Sequence, residues 1–130
     1  MSAPSQWPLP KNGIRFLTPA FMVAKLARHP LTQECYPTAM GFYPSADRHR
    51  MERLAHNDNL LIYCVDGKGR AATARWQGAI KSGELLLLPQ GIAHQYEADH
   101  DEPWTIYWVH YQGTGAAMFT QYLENREGDP

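Results

Sequence analysis

The chain has 130 residues, 44% apolar and 19% charged, with a formal net charge of -1. That length fits one domain with a core of its own, and the near-neutral charge argues against a free-standing nucleic-acid binder. No apolar run reaches the roughly 18 residues of a membrane span, and the N-terminus lacks the basic-then-apolar pattern of a secretory signal.

Pro4, Pro8, Pro10 and Gly13 make the start of the chain an extended arm, taken to run to residue 18, in which Trp7 and Leu9 are free to pack elsewhere. Thr18-Pro19 has the form of an N-cap followed by proline at the first helical position. Phe21, Met22, Lys25, Leu26 and Arg28 follow at helical spacing before Pro30, which predicts a short amphipathic helix over 19–28. From residue 31 the period changes. Tyr36–Tyr43 reads as a strand, and so does His49–Leu54. In the second, alternation puts His49, Met51 and Arg53 on one face and Arg50, Glu52 and Leu54 on the other.

Asn57-Asp58-Asn59 is a turn cluster, and Leu60–Val65 is an apolar run of β-formers. Asp66-Gly67 is a hairpin signal that makes Arg70–Gln77 the partner strand, with Gly78 marking a further turn. Gly83-Glu84 turns into Leu85–Leu88, a run the length of a buried strand. Pro89 ends it, because proline has no N–H for a ladder. Gly91 supplies the corner, and His94 and Tyr96 begin the next strand. After an acidic loop at Asp99–Glu102, the aromatic stretch Trp104–Tyr111 is the last strand, with Trp104, Ile106, Trp108 and His110 on one face. Gly113 and Gly115 break it, and Ala116–Asn125 begins a helix. Seven or eight short strands without alternating helices predict an antiparallel barrel or sandwich.

Cys35 and Cys64 both sit beside apolar or aromatic neighbours, which suits two buried free thiols in a reducing cytoplasm better than a disulfide or a metal pair. Enzyme signatures are missing. Ser45 and Ser82 lie in polar loops without a nucleophile elbow, Gly67-Lys68-Gly69 is too short to cradle a phosphate, and no two carboxylates are placed for acid–base work.

Two resemblances follow from these residues. The spacing Gly83, Pro89, Gly91, His94 resembles the second motif of the cupin superfamily of small β-barrels, with Ala98 where that family usually has Asn. Metal-binding cupins add a His-x-His pair and a Glu ahead of the hairpin glycine. Here those positions read Arg53-Leu54-Ala55-His56 and Leu60 or Ile62. His94 with His56 gives two ligands where a transition-metal site needs three or four, so the expectation is no metal and no cofactor.

The closer resemblance is to the effector-binding and dimerisation domain of AraC-type transcription regulators. HPLTQECYPTAMGFYPSADRH at 29–49, LLIYCVDGKG at 60–69, SGELLLLPQGIAHQY at 82–96 and PWTIYWVHYQGTGA at 103–116 carry it. The resemblance implies a mainly β, cupin-like antiparallel barrel over 19–116, preceded by the arm of 1–18. The start of a dimerisation helix would follow at 117–130. It implies a cytoplasmic sensor of a small, sugar-like polar effector, not an enzyme and not a membrane protein. The full-length protein would be a homodimer that reaches DNA through a helix-turn-helix domain absent from this chain. The ligand-binding residues it suggests are Arg53, His94, Tyr96, Ile106 and Trp108. The aromatic ring would supply contact area and the guanidinium charge-assisted hydrogen bonds. Two alternatives stand beside it. One is a small cupin enzyme, an isomerase or a metal-dependent dioxygenase. The other is an interaction module whose barrel is filled by its own side chains.

Overall fold

The computed structural model describes residues 7–127. Nine strands and two helices follow one another in these residues: β1 Ile14–Leu17, α1 Ala20–Arg28, β2 Tyr36–Tyr43, β3 Arg50–Arg53, β4 Asn59–Asp66, β5 Lys68–Thr73, β6 Gln77–Lys81, β7 Leu85–Leu88, β8 His94–Ala98, β9 Thr105–Gln112 and α2 Ala116–Glu127. The strands form two sheets, ordered β1-β2-β9-β4-β7 and β3-β8-β5-β6, and each pair within them is antiparallel. The core lies between the sheets. Tyr43, Leu60, Ile62, Cys64, Leu86, Leu88, Trp104 and Ile106 meet Ala71, Ile80, Tyr96 and Ala98 there. Each large apolar side chain taken out of water in this layer stabilises the fold by about 1.5–3 kcal/mol.

Several local expectations are met residue for residue. The strands Tyr36–Tyr43 and Leu85–Leu88 have the expected bounds, and Pro89 and Gly91, the latter with φ 84°, make the corner before His94. The helix stops at Arg28 and His29 is extended, which is the conformation a residue before proline prefers.

Other expectations are corrected. Ile14–Leu17, read as arm, adds an edge strand to β2, with Ile14 opposite Phe42 and Leu17 opposite Ala39. Thr18 does not cap α1. Its hydroxyl donates to Pro37 O at 3.0 Å, and the N–H groups of Met22 and Val23 bond Pro19 O. Asp66-Gly67 is not a hairpin turn, because β4 and β5 belong to different sheets. Gly67, with φ 71°, swings the chain from one sheet to the other. A Cβ there would stand 2.4 Å from Pro103 O, so the position has no room for one. The stretch 70–77 is therefore not a single strand. It divides into β5 and β6, which pair as the actual hairpin, and Gly78 lies inside β6. Cys64 is buried as expected, whereas Cys35 is exposed; both are free thiols.

Helix α2 returns across the five-stranded sheet. Phe119 meets Tyr111 edge-on with ring centroids 5.7 Å apart, and buried Thr120 bonds Ala116 O, the Tyr111 hydroxyl and Asn59 Oδ1. No helix among the described residues is long and apolar enough to cross a membrane.

Candidate functional site

Alternation on three strands decides what faces the space between the sheets. On β3 and the residue before it, His49, Met51 and Arg53 turn inward, while Arg50 and Glu52 are exposed. On β8, His94, Tyr96 and Ala98 turn inward. The β3–β8 register sets Arg53 opposite His94 and Met51 opposite Tyr96. On β9, Ile106 and His110 are buried and Trp108 is partly buried, on the face that the sequence assigns them.

Arg53 links the two strands. Its Nη1 donates to Tyr96 Oη at 3.1 Å and to His94 Nε2 at 3.2 Å. A guanidinium has no acceptor, so His94 Nε2 must carry a lone pair and the proton of the neutral ring lies on Nδ1. The guanidinium also stands 5.9 Å from the centroid of the Tyr96 ring. Arg53 is only half-buried, and with Glu52, Thr73 and His94 it lines an open cleft of about 190 Å³.

The five-stranded sheet contributes the aromatic side. Trp108 has Tyr43 at 5.4 Å and His110 at 5.4 Å, ring centroid to ring centroid. Its indole packs against β2 at Gly41, where a Cβ would stand 2.5 Å from Trp108 Cζ2. Glycine is what admits the ring at that point. Tyr43 continues through His49 at 5.2 Å to Tyr96 at 5.6 Å, so a chain of rings joins the two sheets. Trp7 enters from the arm, 4.8 Å from Tyr43 and 4.6 Å from His49, with its carbonyl held by Arg15 Nη2 at 3.0 Å.

Of the five residues that the sequence suggests, Arg53, His94 and Tyr96 are brought into direct contact. Trp108 stands on the opposite sheet and reaches them through Tyr43 and His49. Ile106 is fully buried in the core beside them. Several buried polar atoms around this space have no hydrogen-bond partner among the described residues: Tyr43 Oη, His94 Nδ1 and Trp108 Nε1.

Four imidazoles were not all legible as one group. His56 packs against His94 and His110, with ring centroids 5.0 Å away in each case. Burial, and then the charge of Arg53, lowers His56 to about 4; the Asp58 backbone pulls weakly the other way without reaching hydrogen-bond geometry at either ring nitrogen. Burial, His56 and Arg53 lower His94 to about 4. His110 falls to about 3 through burial, Arg53 and its two imidazole neighbours, and His49 to about 3 through burial, Arg53 and Arg15. At neutral pH all four rings are neutral. Burial also pushes the Tyr96 phenol up, against the pull of Arg53. The signal for His110 was present in the inward face of the last strand, but its meeting with His56 and Asp58 depends on pairing between β4 and β9.

The comparisons with known proteins agree with this architecture. A solved cupin 2 conserved barrel domain protein from Salinispora arenicola superposes with a TM-score of 0.54, covering 93% of this chain and 99% of that one at 16% identity, which shows the fold alone. The MmsAB operon regulatory protein of Pseudomonas aeruginosa is 47% identical over 120 residues, 89% of this chain and 39% of the regulator. The raffinose operon transcriptional regulatory protein RafR of Pediococcus pentosaceus is 36% identical over 51 residues, 38% of this chain and 18% of that protein. The chain thus spans less than half the length of these relatives. The family model of the AraC-like ligand binding domain matches residues 37–129, and the chain belongs to that family.

Proposed function

We propose that this chain is the sensing module of a transcription regulator, binding a small polar effector between its two sheets and passing that state to a separate DNA-binding domain. The observation that carries the reading is Arg53. Its guanidinium is fixed by Tyr96 and His94 in an aromatic interior where Tyr43 Oη, His94 Nδ1 and Trp108 Nε1 stand unpaired. A buried polar atom left unpaired costs about 1–3 kcal/mol. A ligand rich in hydroxyls or other oxygens offsets that cost while its apolar faces stack on Trp108 and Tyr96. Arg53, His94, Tyr96, Ile106 and Trp108 are the binding residues in this reading, and the effector class is sugar-like. The role is sensing and not catalysis, in the cytoplasm, and the full-length regulator is a homodimer.

A thermal-shift screen of sugars, polyols and sugar acids tests this. A true effector raises the melting temperature by mass action in proportion to the logarithm of its concentration. A hit that stabilises an Arg53→Ala variant as much as the native chain counts against the assignment.

A further inference from the structure

We propose that His56, Asp58 and His110 form a site for one divalent transition-metal ion, zinc by donor preference, at the end of the barrel where β4 and β9 begin and end their pairing. One donor atom from each residue lies within 4.8 Å of the others. The three residues are 1%, 3% and 8% exposed. Both ring nitrogens of His56 and Nδ1 of His110 have no hydrogen-bond partner among the described residues. Buried polar atoms are nearly always paired, so three orphans in one cluster point to an occupant.

The spacing suits an ion. His110 Nδ1 and Asp58 Oδ2 are 3.6 Å apart, too far for a hydrogen bond. Two donors bound at about 2.0–2.2 Å to a tetrahedral centre stand roughly 3.3–3.6 Å from each other. A ring nitrogen of His56 lies within 4.8 Å of both, as the third donor. Two neutral imidazoles and a carboxylate are a donor set for zinc and its first-row neighbours, and three protein donors leave a position for water or a ligand oxygen.

The surroundings fix the donors in place. β4 and β9 pair with Asn59 opposite Tyr111 and Leu60 opposite His110, which brings Asp58 to the His110 side chain. Gln112 Nε2 donates to Asp58 Oδ1, leaving Oδ2 for His110. Such outer hydrogen bonds orient metal ligands. The turn that carries His56 is held by Gly91 N–H donating to His56 O at 2.8 Å. His94 touches the cluster, but its Nε2 is committed to Arg53, so it flanks the site without completing it. This set is not the His-x-His and Glu arrangement of metal-binding cupins, since Asp58 and His110 lie outside both of those motif positions.

The test uses the chelator-stripped chain in a Cys35→Ser background, because Cys35 is an exposed thiol able to hold zinc by itself. Co²⁺ and Zn²⁺ are titrated by calorimetry, and cobalt is followed by its visible absorption. The expected result is one equivalent bound, a d–d spectrum without thiolate charge transfer, and a melting temperature that rises with metal. Asp58→Asn keeps the shape and the Gln112 contact, and His110→Gln keeps much of the volume. Each is expected to weaken binding by at least about tenfold while circular dichroism confirms folding. If His110→Gln does not fold, Asp58→Asn alone decides. No saturable binding at about 100 μM metal, binding unchanged in the folded variants, or binding that disappears with Cys35→Ser overturns the proposal.

Discussion

The Trp104 indole donates through Nε1 to Nδ1 of His49 at 3.1 Å, and both side chains are buried. An indole N–H can only donate, so the His49 nitrogen must present a lone pair and the ring must be neutral. Burial is the main reason that His49 titrates at about 3 and not near 6.5, with the charges of Arg53 and Arg15 adding to it.

The sign of the resulting pH dependence is fixed. The unfolded chain takes up this proton near 6.5 and the folded chain only near 3. The stability that the neutral ring contributes is whole above 6.5 and is lost as pH falls from there toward 3. The slope is at most about 1.4 kcal/mol per pH unit for one group. In the metal-free chain His56, His94 and His110 are lowered too and act in the same direction. Urea unfolding between pH 7 and 4.5 is expected to show falling stability. His49→Gln keeps an acceptor for Trp104 and removes one titrating group, so its curve should be shallower. Parallel curves for the two proteins would sink the assignment.

Much of the barrel is legible because its signals are local. Pro89 and Gly91 bound the Leu85–Leu88 strand within the same short stretch, and the alternation of His49, Met51 and Arg53 states its own inward face. What the sequence does not carry locally is partnership. Asp66-Gly67 has the composition of a hairpin turn, yet Gly67 sends the chain to the other sheet because Pro103, far along the chain, closes over it. Ile14–Leu17 is mostly exposed and has no apolar alternation strong enough to announce a strand; the free edge of β2 makes it one. The grouping of His56, Asp58 and His110 escapes a spacing template for the same reason. The template looks along one strand, and the third donor comes from β9.

Gly41 is expected to tolerate no side chain. A Cβ there meets Trp108 Cζ2 at 2.5 Å and Ile14 O at 2.6 Å, one a ring packed by Tyr43 and the other backbone of the edge strand. Gly41→Ala should destabilise the fold by about 1–3 kcal/mol, as overpacking does, and shift Trp108 fluorescence. Denaturation curves that overlay those of the native chain would show that the ring has somewhere else to go.

By itself the chain is expected to bind no defined DNA duplex. Twelve Lys and Arg residues are balanced by thirteen Asp and Glu. Phosphate-driven affinity, which supplies most nonspecific binding and a large share of specific binding, has little to work with. Tight, salt-sensitive retardation of one duplex and not of a scrambled one in a gel shift would contradict this.

The two sheets should contribute separately to effector recognition. Arg53 belongs to β3 and is held by its neighbours on β8, whereas Trp108 belongs to β9 and rests on Gly41 of β2. Once an effector is in hand, Arg53→Ala and Trp108→Ala are each expected to weaken it by about tenfold or more, the equivalent of an interaction worth roughly 1.5 kcal/mol. Arg53→Lys discriminates the mechanism. It keeps the charge but not the guanidinium, whose Nη1 bonds both Tyr96 and His94, so it should recover little affinity. Near-native binding by Arg53→Lys would mean that charge alone matters. Near-native binding by both alanine variants, measured by calorimetry on folded protein, would place the effector site away from the space between the sheets.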